Sequence, residues 1–227
     1  MIFSFLKGLF LGGSVCILSF IFDTFISLDS QKMLQKQNPV LYDRNYSSMK
    51  INMLIISPMM YTAVDNCMLR HNNIFSLEHY FYLILIQNLL YFFIHKEMHK
   101  NSKLKWIHKF HHEFKDLTLP STGNAVSPYE FILAYTIPFI TGAYILKPDE
   151  ITFLSSIGTI SLFNLIIHTP EFEHYSWIPI MVSPNNHITH HKINKKHYAA
   201  PILNLDYLSD AAQNIKKIYL EDDYETI

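Results

Sequence analysis

Five apolar stretches, separated by polar segments of alternating charge, constrain this chain more than any other feature. They run from Leu6 to Leu28, Ile51 to Val64, Ile74 to Ile94, Phe131 to Leu146 and Ile151 to Ile167. A helix needs roughly 17–25 apolar residues to cross a bilayer. The second and fourth stretches are short by that measure and would have to extend over polar neighbours. Pro58 and Pro138 fall inside these two and predict kinks, which a membrane tolerates where neighbouring groups re-satisfy the backbone. Only 16% of the residues are charged, against about a quarter in a soluble domain. The expected fold is an all-α, multi-pass membrane protein.

The basic residues predict its orientation. Lys32, Lys36, Arg44 and Lys50 follow the first stretch, and only Arg70 follows the second. Lys96, Lys100, Lys103, Lys105, Lys109 and Lys115 follow the third, and Lys147 alone follows the fourth. The tail carries Lys192, Lys195, Lys196, Lys216 and Lys217. Basic loops stay cytoplasmic, so the N-terminus is expected outside. Lys7 and the apolar run after it have the look of a signal peptide. Phe22, Asp23, Thr24 and Phe25 offer no small-residue cleavage site, so a retained span is expected. The formal net charge of −1 gives no global field to recruit nucleic acid. Cys16 and Cys67 have no metal-type spacing and predict no disulfide framework.

Eight of the thirteen histidines fall in three tight groups. His95 and His99 are four apart at the end of the third stretch. His108, His111 and His112 form a His-x-x-His-His group, and His187, His190 and His191 repeat it. Residues three and four apart share a helical face, so each group can converge on metal. The adjacent pair in each repeat splays toward two neighbouring points, which suits two ions close together. The predicted topology puts all three groups on the cytoplasmic side. Imidazole suits zinc, copper, iron and nickel. A zinc-protease motif is absent, since Lys96 follows His95 and Glu97 comes one place late. The Glu-x-x-His pattern of soluble di-iron bundles occurs once, at Glu171 and His174, where two copies are needed.

Of the other histidines, His71 and His79 are expected at the surface. His168 closes the fifth stretch and is a candidate ligand, since ionisable groups at a membrane edge are rarely idle. His174 and His197 are expected as ligands, as hydrogen-bond partners to ligands, or solvated. Asn88, Glu113, Glu130 and Asp206 are candidate partners that would fix imidazole tautomers, or else helix caps or solvated groups.

Together these residues resemble the fatty acid hydroxylase and sterol desaturase superfamily. The likeness runs over roughly residues 75–208. It includes the lead-in from Asn88 through Tyr91 to His95, and a second group, His108 to Glu113, similar to that of sterol C4-methyl oxidases. It also includes Ser127-Pro128-Tyr129-Glu130, Val182-Ser183-Pro184 before the third group, and His197-Tyr198-Ala199 after it. Asn88 stands where aspartate is usual, Ser127 where histidine is frequent, and His197 where asparagine is usual. Asn164 stands where some lipid hydroxylases carry another ligand.

The apolar stretches and charge pattern give one structural domain, with an N-terminal transmembrane hairpin over residues 1–74 and a region over 75–227, which the resemblance marks as catalytic, together forming two hairpins under a cytoplasmic, histidine-rich helical cap. The resemblance implies two iron ions held by His95, His99, His108, His111, His112, His168, His187, His190 and His191. The implied chemistry is hydroxylation or desaturation of a lipid, either a sterol or a fatty acyl chain. O2 and an external electron donor of the cytochrome b5 or ferredoxin type would drive it. The setting would be the endoplasmic reticulum in a eukaryote or the inner membrane in a bacterium. The competing readings are a metal-ion transporter, with Asp65 and Asn164 as its only intramembrane ligand candidates, and a catalytically degenerate member of the same family.

Overall fold

The computed structural model describes the backbone of residues 1–115 and 117–222, with side chains in that range up to 213. The tail lysines 216 and 217 therefore lie outside the described side chains. Among the described residues the fold is helical, with two isolated β-bridges and no strand. Four helices are long and apolar enough to cross a membrane: Ile2–Phe25, Leu77–Lys100, Pro128–Leu146 and Glu150–Ile167. They are consistent with an integral multi-pass membrane protein.

The second apolar stretch is the exception. It falls in a helical run made of α3 (Pro39–Ile51), a π segment (Asn52–Ile56) and α4 (Ser57–Cys67). Asn52, Ser57, Thr62 and Asp65 interrupt its apolar character. Its inner face is buried against α1 (Ile2–Phe25). The two prolines expected to kink these stretches share one local setting. Pro58 opens α4 directly after a π segment, and Pro138 opens α8 (Ile137–Leu146) directly after another, Phe131–Thr136. Proline lacks the N–H for an i−4 bond and crowds the preceding turn, and a widened turn relieves both.

The first helix buries Ser4, Gly8, Gly12, Val15, Ser19 and Asp23, a stripe of mostly small residues that lets helices approach closely. A Cβ at Gly12 would stand 1.8 Å from the Met53 carbonyl oxygen, and one at Gly8 would stand 2.8 Å from Pro58 Cα. Asn66 Nδ2 donates to Ser4 Oγ at 3.2 Å. Contacts therefore climb one helix as they descend the other, so the pair is antiparallel.

Two long helices lead to the site. These are α5 (Leu77–Lys100), capped at its start by Ser76 Oγ accepting from the His79 amide at 3.2 Å, and α9 (Glu150–Ile167). They start together, where the Asn72 amide donates to Asp149 Oδ1 at 2.8 Å and the Ser76 amide donates to Thr152 Oγ1 at 2.9 Å. They end together at the histidines, beside the short α10 (Pro184–Ile193), whose N-cap is Ser183.

Candidate metal centre

Nine histidines converge in two adjoining groups. The first contains His95, His99, His108, His112 and His190, and the second His111, His168, His187 and His191. All but His99 are buried. Each adjacent pair is split, so His112 and His190 face the first group and His111 and His191 the second. His111 and His191 rings are 4.5 Å apart. The middle motif is not one α-helix. His108 ends the four-residue α6 (Lys105–His108), and His111–Glu113 tightens into a 3-10 turn. The linking residues Lys109 and Phe110 keep helical dihedrals, so the shared face survives.

The nitrogen geometry tests whether metal fits. In the first group His95 Nε2 lies 2.9 Å from His108 Nε2 and 3.2 Å from His99 Nε2. His112 Nε2 lies 2.8 Å from His108 Nε2 and 3.1 Å from His99 Nε2. These four nitrogens form a closed ring of four contacts. A neutral imidazole nitrogen either donates one proton or accepts, so alternating roles satisfy only two contacts. A central cation satisfies all four. Two nitrogens about 2.1 Å from one ion are separated by about 3.0 Å at a right angle and about 3.4 Å at a tetrahedral angle. His168 Nε2 in the second group lies 2.9 Å from His187 Nε2 and 3.4 Å from His111 Nε2. Buried His190 Nε2 and both nitrogens of His191 have no partner among the described residues. These residues fit a metal site.

Burial holds the rings in the neutral form that binds metal. It pushes the imidazoles of His108, His111, His187, His190 and His191 well below the ordinary 6.5, and neighbouring imidazoles add to the effect. His112 is pushed down to about 3 and His168 to about 4, again mainly by desolvation.

The outer nitrogens are held mostly by backbone. His95 Nδ1 is 2.7 Å from the Tyr198 carbonyl, His190 Nδ1 is 2.7 Å from that of Lys196, and His168 Nδ1 is 2.7 Å from that of Asn164. One side chain does the same: Glu130 Oε1 lies 2.6 Å from His108 Nδ1 in a fully buried pair. Such partners fix the ring tautomer and orientation. Asn194 was not expected from sequence. Its amide lies 2.6 Å from His112 Nδ1, and which amide atom faces the ring follows the tautomer of His112.

The other candidates act at one remove. Asn88 Oδ1 accepts from the amides of Ile202 and Leu203 at 3.1 and 2.9 Å, and Asp206 Oδ2 accepts from the Ala199 amide at 2.7 Å. Both fix the segment that carries the Tyr198 carbonyl. Glu113 is no partner of a histidine; it pairs with Arg44 at 2.6 Å. His174 is exposed and joins neither group. Of the two transporter candidates, Asn164 Nδ2 donates to the Gly123 carbonyl at 2.8 Å, while Asp65 lies with His71 and Glu150 in a third group of possible metal-holding side chains, apart from the nine histidines.

The family model for fatty acid hydroxylase matches residues 80–210, more than half of the chain and all nine clustered histidines. The chain belongs to the fatty acid hydroxylase family. That family is one of oxidoreductases acting on lipids, and the buried histidine groups fit its metal site. No curated protein and no solved structure matches. His197 stands outside both groups. Its φ is +60°, in the left-handed region where Asn and His are enriched among non-glycine residues.

Residues ahead of the matched region also reach the site. Asp23 Oδ1 accepts from the Ser121 amide at 3.0 Å. Asn45 Nδ2 donates to Ser121 Oγ at 2.7 Å, and Asn52 Nδ2 to the Asn124 and Val126 carbonyls at 3.0 and 2.9 Å. They hold the turn containing Gly123, where a Cβ would stand 2.9 Å from His168 Nδ1. An apolar slot lined by Leu11, Met53, Tyr61, Phe131 and Phe153 ends behind this turn, at Asn124 and Asn164.

Proposed function

We propose that this protein is a membrane di-iron oxygenase that hydroxylates or desaturates a lipid, a sterol or fatty acyl chain. The observation carrying the proposal is the pair of buried, converging imidazole groups, five rings beside four. His95, His99, His108, His112 and His190 would hold one iron, and His111, His168, His187 and His191 the other. When bound, the iron pair supplies activation of O2 for attack on an unactivated C–H bond. The protein's own residues hold nine neutral donors in place and keep water from the second group. They also present an open approach to the first group at His99. Electrons would come from a cytochrome b5-type or ferredoxin-type partner. The active side would face the cytoplasm, on the endoplasmic reticulum or the bacterial inner membrane, as the lysine distribution suggests.

The test is a comparison of lipids by mass spectrometry in host cells expressing the protein or its His111→Ala variant. An oxidised or desaturated lipid found only with the unaltered protein is the expected result. Identical profiles, with both proteins present at equal levels, would overturn the proposal and favour a degenerate member of the family.

A further inference from the structure

The first histidine group opens into a cavity whose floor is His99, His108 and His112 and whose rim carries Lys100, Lys105, Lys109, Lys115 and Lys195. All five lysines are exposed. Among the described residues none of them lies in an ion pair. Glu113, the carboxylate on the same rim, is already paired with Arg44. Between rim and floor the wall is mixed, with Met98, Trp106, Ile193 and Tyr198 beside Ser102 and Asn194. The apolar slot behind Gly123 differs in kind, since no lysine and none of the nine histidines lines it.

Resting on the oxygenase function proposed above, we infer that the lysine rim binds the anionic head group of the lipid substrate, a phosphate or a carboxylate, above the first histidine group. A neutral sterol gives five exposed ammonium groups nothing to bind, and a small soluble anion has no use for the apolar side chains of Met98, Trp106 and Ile193. An amphiphile with a charged head uses both. Several lysines around one mouth also bind a phosphate or carboxylate more tightly than one, because charge-assisted hydrogen bonds are the stronger class.

Trp106 lies in this wall and reports on occupancy. The only other tryptophan is Trp177, which packs on Phe163 away from the cavity. The experiment uses full-length Trp177→Phe protein in detergent, with metal content measured on the same sample. Quenching of Trp106 is followed with three brominated probes of one chain length: a lysophosphatidic acid, a free fatty acid and a monoacylglycerol. The expected result is half-saturation by at least one anionic probe at about tenfold lower concentration than the neutral one. The triple variant Lys100→Gln, Lys105→Gln, Lys109→Gln should shrink that gap below about threefold at equal metal content. A fatty acid matching the phosphate probe assigns the rim to carboxylates as well, and phosphate alone assigns it to phospholipid heads. Equal half-saturation by charged and neutral probes overturns the inference, as does a gap that survives the lysine substitutions, and the rim would then be a surface for an acidic protein. The metal readout is separate: metal-loaded protein without charge preference sinks the inference alone, and protein with no metal sinks the oxygenase.

Discussion

The two histidine groups contain the same donors but are held in different ways. In the first, the outer nitrogens of His95, His108 and His190 meet Tyr198, Glu130 and Lys196, and His112 meets Asn194. In the second, only His168 has such a partner, and Nδ1 of His111, His187 and His191 has none among the described residues. The first group is oriented by hydrogen bonds and opens to the outside, while the second is oriented by packing and is closed. Packing alone can aim a ring if nothing around it can move, and the Gly123 turn lies close against His168, the one ring of this group that also has a hydrogen-bond partner. Five residues ahead of the matched region help keep that turn still, since Ser19 and Ser48 join Asp23, Asn45 and Asn52 in bonding to it.

The largest effects should come from the split pair. His112→Ala is expected to remove metal from the first group and His111→Ala from the second, each abolishing lipid oxidation. Metal analysis should find about half the normal content in each. Full content in either variant would break the division into two groups. Gly123→Ala comes next. Its Cβ would press on His168 Nδ1 and Asn164 Nδ2, so metal should be lost from the second group while the first keeps its own. Equal loss from both would mean that the groups are not held separately.

Glu130→Gln should weaken metal binding or turnover by about 10–100-fold, the usual cost of losing a carboxylate behind a ligating histidine. Asn164→Ala should cost less, because His168 uses the Asn164 carbonyl, which the substitution keeps. Titrating metal into the two variants ranks them, and the reverse order would contradict the assignment.

The smallest effect is in pH. His112 and His168 fall to about 3 and about 4 when folded, from an ordinary 6.5. Between those values the unfolded chain binds more protons, so folded stability is full above about 6.5 and falls as pH drops toward about 4. Thermal unfolding of metal-free protein should show that decline, and metal-loaded protein should begin it at lower pH. A metal-free midpoint that stays level from pH 7 to 4 would mean that these imidazoles are not buried.

Much of the site is legible in the sequence, because ligation is a side-chain property and its spacing repeats. The split of His111 from His112 and of His190 from His191 follows from adjacent residues facing apart on a helical turn. The partners of His95, His168 and His190 are illegible, since a backbone carbonyl leaves no mark on residue type. The fold is legible where apolar runs are long. It is not legible at Ile51 to Val64, where burial against the Gly8 and Gly12 stripe decides the helix, and the signal lies in the small residues of its neighbour.

Iron content of the purified full-length protein tests the central claim most directly. The expected result is two irons per chain, falling to about one in each of His111→Ala and His112→Ala. A single zinc with no iron, unchanged by either substitution, would contradict it.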